Sequence, residues 1–214
     1  MAIGFPLFAV VVIVAVVFFL RQQDPARRPL ILKRAGFIVM AVSTLFFGLF
    51  VVGETFTDPG GWKALRLVSA WAVPLAAMAA IAWLRPDWAV WAFAVLIAAL
   101  IGVSIWFAVN PEGWRAFEDR NGPIRDVITF VVAAAVALLG LKRTAVAGAM
   151  LLVLGIVPLA VTSLGSLAGF GSLALVTSAP VVTGVLYLLS AGMTGRSVLR
   201  RGTEAGPEGR LQGA

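Results

Sequence analysis

The sequence predicts an all-α, polytopic integral membrane protein, a bundle of seven transmembrane helices with its N-terminus outside and its C-terminus inside. Three observations carry that reading. The 214 residues are 61% hydrophobic and 13% charged, with a mean hydropathy of +1.00, whereas a soluble domain carries about 25% charged residues. The apolar residues gather into runs close to the ~20 residues that cross a ~30 Å hydrocarbon layer. The basic residues fall between those runs, and unevenly.

Spans are expected at 3–20, 35–55, 65–84, 88–109, 124–141, 144–164 and 172–192, so that residues 1–195 form one transmembrane domain. The first run lacks a basic leading region and a small-residue cleavage motif before Arg21, and is expected to be an uncleaved helix and not a signal peptide. Breakers separate the rest: Asp58-Pro59-Gly60-Gly61, Arg85-Pro86-Asp87, Asn110-Pro111-Glu112-Gly113, Asn121-Gly122-Pro123 and Gly169-Phe170-Gly171. Each reads as a tight turn between antiparallel neighbours. From Arg196 the chain is rich in Gly, Arg and Glu, and residues 196–214 are expected to be a disordered cytoplasmic tail.

Orientation follows from the basic residues, which resist translocation. With the N-terminus outside, the inner side holds 12 of the 17, namely Arg21, Arg27, Arg28, Lys33, Arg34, Arg85, Lys142, Arg143, Arg196, Arg200, Arg201 and Arg210. The outer side holds Lys63, Arg66, Arg115, Arg120 and Arg125 against the acids Glu54, Asp58, Glu112, Glu118, Asp119 and Asp126. Tryptophan, which prefers headgroup depth, agrees: Trp62, Trp106 and Trp114 fall at the outer boundary and Trp83, Trp88 and Trp91 at the inner one, with Trp71 deeper. The pI of about 11.3 is thus a matter of topology, and no nucleic-acid partner is expected. The expected partners are the bilayer, anionic lipids at the cytoplasmic face, and another membrane protein. The basic run from Arg21 to Arg34 reads as a topology determinant in preference to a specific headgroup site.

One pattern recurs at an offset of 52 residues. Pro59-Gly60-Gly61-Trp62-Lys63-Ala64 is echoed by Pro111-Glu112-Gly113-Trp114-Arg115-Ala116, each at the outer side and each leading into a descending helix. The match predicts a parallel repeat of helical hairpins, related by an axis along the membrane normal.

The chain has no Cys and no His, which excludes disulfides, thiolate chemistry and histidine-based acid–base, haem or zinc chemistry. A retinal Schiff base is excluded by the lack of Lys in 172–192. No catalytic, cofactor-binding or metal-ligating constellation is therefore expected, and the protein is expected not to be an enzyme. Two polar features inside the spans remain. Glu54, near an outer helix end, is expected to pair with Lys63 or Arg66, and an acid at membrane depth is a functional candidate. Pro74, Pro158 and Pro180 each leave a carbonyl without its helical partner. Together with Thr177 and Ser178 they are candidate lining residues for a carrier site among the third, sixth and seventh spans. The leading functional expectation is a non-enzymatic accessory or interaction component of a bacterial cytoplasmic membrane. The alternative is a small carrier or substrate-binding transporter subunit.

Overall fold

Apolar runs flanked by breakers become helices in the computed structural model, which describes residues 24, 26–57, 61–113, 116–117, 124–165 and 170–204. The described helices are α1 (Arg28–Thr57), α2 (Gly61–Leu84), α3 (Pro86–Val109), α4 (Ile124–Gly140), α5 (Thr144–Gly165) and α6 (Phe170–Glu204). They correspond in order to the second through seventh expected spans; the first, at 3–20, lies outside the described residues.

Turn chemistry sets the boundaries. Gly61 opens α2 at φ +56°, a left-handed conformation that glycine adopts without steric penalty. Pro86 occupies the first turn of α3 after the single residue Arg85, where its missing N–H has no helical partner to lose. At the other end of α3 the Asn110 side-chain oxygen accepts the Gly113 N–H at 3.1 Å.

Two boundaries differ from expectation. α1 begins at Arg28, not Ala35, because Asp24 starts the turn, its side chain accepting the Ala26 N–H at 3.0 Å and its carbonyl the Arg27 N–H at 2.9 Å. Arg28, Lys33 and Arg34 consequently stand on helical turns and not in a loop. α6 runs on to Glu204, so residues 196–204, expected to be disordered, are helical. Extending an existing helix costs no nucleation, and Ser197-Val198-Leu199-Arg200-Arg201 contains no breaker.

α4 sits at the centre and touches all five other described helices, which form a closed ring around it in the order α1, α2, α3, α5, α6. Its inner residues explain the position: Val131, Val132, Ala133, Ala135, Val136, Ala137 and Leu139 are all buried, and small side chains let neighbouring backbones approach. The tightest seam joins α5 to α6. There a Cβ on Gly148 would stand 3.1 Å from the Gly184 carbonyl, and one on Gly184 would stand 2.9 Å from the Gly148 carbonyl. Between α1 and α4, Phe47 stacks on Phe130 with ring centroids 4.5 Å apart.

Among the described residues, four stretches are by length and composition able to cross a membrane: Arg28–Phe50, Pro86–Val109, Thr144–Val161 and Val176–Gly195, with Val68–Leu84 a shorter apolar helix. On α3 the exposed Trp88 and Trp106 are separated by 18 residues, or roughly 27 Å at ~1.5 Å per residue. That matches the distance between the two headgroup layers.

Candidate functional site

Inside the bundle, hydroxyls fasten helices together through backbone carbonyls. Thr183 donates to the Gly36 carbonyl at 3.2 Å, Tyr187 to Ala137 at 2.6 Å and Ser190 to Pro29 at 2.7 Å. Tyr187, the single tyrosine, is fully buried and its ring lies between Gly36 of α1 and Gly140 of α4. Its bond completes an account of the last four carbonyls of α4, which lack helical partners. Leu138 accepts from the Leu141 N–H and Leu139 from the Lys142 and Arg143 N–H groups, while Gly140 accepts from the Thr144 hydroxyl. These side chains hold the bundle in register.

At the end of α3 and the start of α4 lies a charged pair that the sequence analysis placed only among the outer-side charges. Arg125 and Asp126 meet at 3.3 Å with side-chain exposures of 5% and 7%, and the Arg125 guanidinium carbon stands 5.6 Å from the Phe107 ring centroid. The opposite end of the bundle carries exposed charge instead. Arg143 pairs with Asp87, and the Lys142 ammonium bonds the Trp83 carbonyl while lying 4.5 Å from the Trp83 ring centroid.

Of the residues singled out from the sequence, Glu54 lies in the last turn of α1 and Lys63 in the first turn of α2; their side chains lie outside the described residues, so their pairing does too. Arg66 is exposed. Pro158 stands on α5 and Thr177, Ser178 and Pro180 on α6, two helices that pack together, and on their seam a Cβ on Gly155 would stand 3.1 Å from the Thr177 carbonyl. Pro74 is not with them: it is exposed on α2, a helix that packs on α1, α3 and α4. Among the described residues, no three carboxylates gather around a common point that could hold a metal.

What stands out is the contrast between two outward faces. α1 presents Ile38, Val42, Leu45, Phe46, Leu49 and Phe50, bulky residues suited to lipid chains. α2 presents Arg66, Ser69, Val73, Ala76, Ala77 and Ala80, all exposed and recurring at the three- and four-residue spacing of one helical stripe. A groove of about 610 Å³ lined by Trp62, Leu65, Arg66, Ser69, Ala70, Val73 and Pro74 opens on that stripe. Small, weakly polar residues suit close contact with another helix and offer little to an acyl chain. Sequence reasoning missed this face because small residues read the same on a seam and at the periphery.

A second groove, about 500 Å³, runs between α1, α2 and α4 and includes Thr44, Gly48, Trp71 and Leu138 in its lining. The Trp71 indole nitrogen is buried beside it without a hydrogen-bond partner among the described residues.

The helices and their apolar surfaces define the class: an all-α, multi-pass membrane protein. Compared with family models, curated proteins and solved structures, the chain finds no match in any of the three.

Proposed function

We propose that this chain is a non-enzymatic accessory component of a bacterial cytoplasmic membrane, with its basic end in the cytoplasm, and that it works by docking a transmembrane helix of a partner membrane protein on the outward stripe of α2. The observation that carries the reading is the small-residue face from Ser69 to Ala80, exposed beside the bulky lipid-type face of α1. Its shape favours close helix contact, and Arg66 at its outer end suits a partner that offers an acceptor at headgroup depth. The use of Thr183, Tyr187 and Ser190 as interhelical ties also supports a packed scaffold. The hairpin repeat belongs to the same reading, because the pairing of α2 with α4 and of α3 with α5 is what side-by-side copies would give.

A photo-crosslinking residue placed at Val73 or Ala77 should yield a discrete protein adduct in native membranes, while the same residue at Val42 or Leu45 of α1 should yield none. Identical patterns from the two helices would overturn the reading. The alternative, a small carrier or transporter subunit, draws on Pro158, Thr177, Ser178 and Pro180 standing on two helices that pack together. It would be favoured if the purified chain carried solute into sealed vesicles and Thr177→Val abolished the flux.

A further inference from the structure

We propose that the basic end of the bundle holds the phosphate group of an anionic phospholipid in the groove between the start of α1, the start of α5 and the end of α6, an inference independent of the partner assigned to α2. The groove measures about 570 Å³ and is lined by Ala26, Pro29, Leu30, Lys33, Thr144, Ser190, Ala191, Thr194 and Gly195. It differs from the other two in its polarity, with three hydroxyl residues beside Lys33. Lys33 is half-buried in its wall and has no ion pair among the described residues, while two carboxylates of this end, Asp24 and Asp87, are engaged elsewhere. Asp24 caps the turn before α1 and Asp87 pairs with Arg143.

A lysine in the wall of a groove, with no counter-ion among the described residues, attracts an anion from outside the protein. The lining hydroxyls direct their protons to backbone carbonyls: Thr144 to Gly140, Ser190 to Pro29 and Thr194 to Ser190. Lys33 is therefore the charge that meets the phosphate. The position favours a lipid. Leu30, half exposed in the same wall, continues into the outward apolar face of Ile38, Val42 and Leu45, along which acyl chains can lie. The tryptophans that mark headgroup depth, Trp83, Trp88 and Trp91, are exposed at the same end. Arg27 and Arg34 are exposed neighbours in sequence of the lining residues Ala26 and Lys33, and they supply a general attraction that the groove makes specific.

The test equilibrates the full chain in detergent with equal amounts of phosphatidylglycerol and phosphatidylcholine and reads the retained lipid by native mass spectrometry. The wild type should retain phosphatidylglycerol preferentially, and Lys33→Gln should cut that preference about fivefold, the equivalent of ~1 kcal/mol for one basic residue at an anionic surface. Arg34→Gln removes the same charge outside the groove and should change it by less than about twofold, as exposed charges do. Thr194→Leu, which fills the groove and leaves every charge in place, should match Lys33→Gln. Release of the lipid by millimolar inorganic phosphate would support a site for the phosphate group from either source, and retention would support a lipid site. Equal losses in Lys33→Gln and Arg34→Gln, or equal retention of the two lipids by the wild type, would overturn the proposal.

Discussion

Replacing Asp126 with alanine should destabilise the folded chain by about 3–5 kcal/mol, the cost of leaving a buried charge without its partner. Arg125 and Asp126 are almost fully enclosed in the first turn of α4, the helix that every other described helix touches. Asp126 also sits where a helix N-terminus favours negative charge, so its loss removes two favourable interactions beside the buried Arg125. The control is Asp87→Ala, which breaks the pair with Arg143 at side-chain exposures of 74% and 52% and should cost no more than about 1 kcal/mol. Thermal unfolding in one detergent decides the matter. A shift for Asp126→Ala no larger than that for Asp87→Ala would contradict the assignment of a structural ion pair at this end.

Gly140→Ala should be nearly as damaging, at about 3 kcal/mol, the upper end of the range for overpacking a core. A Cβ there would stand 1.9 Å from a ring carbon of Tyr187. The ring cannot step aside, because Gly36 packs against its other edge and its hydroxyl is tied to Ala137 on the same helix as Gly140. Tyr187→Phe keeps the ring, leaves the Ala137 carbonyl without its donor, and should cost about 1–3 kcal/mol. Tyr187→Leu makes room for the added methyl group, so Gly140→Ala should be far less harmful in that background than in the wild type. Additive losses would mean that the two residues do not meet.

How much of this was legible follows from what each residue type signals. Span positions could be read because a membrane crossing demands some twenty apolar residues and Pro, Gly, Asp and Asn punctuate them. The start of α1 could not, since Arg28, Lys33 and Arg34 interrupt a hydropathy profile although Arg and Lys are good helix formers. The roles of Tyr187, Thr183 and Ser190 were hidden for a different reason. Each is fixed by a partner 50 or more positions away in the chain, and no local pattern encodes such a pairing. Arg125 and Asp126 were visible as neighbours, but nothing in the sequence says that both are buried. Pro158, Thr177 and Pro180 stand on two helices that are adjacent in sequence and pack as a hairpin, whereas Pro74 belongs to a helix on another part of the ring.

The outward face of α2 was not legible at all, and it carries the functional reading. Its most direct test is the size of the assembly in native membranes gently solubilised in mild detergent. The wild-type chain should run with at least one additional polypeptide, and Ala77→Trp, which puts a large ring on the stripe, should release the 22.5 kDa chain alone while leaving its melting temperature unchanged. Val42→Trp, on the lipid-type face of α1, should leave the assembly intact. An Ala77→Trp protein that keeps its wild-type assembly, or a wild-type chain that runs alone, would contradict the account.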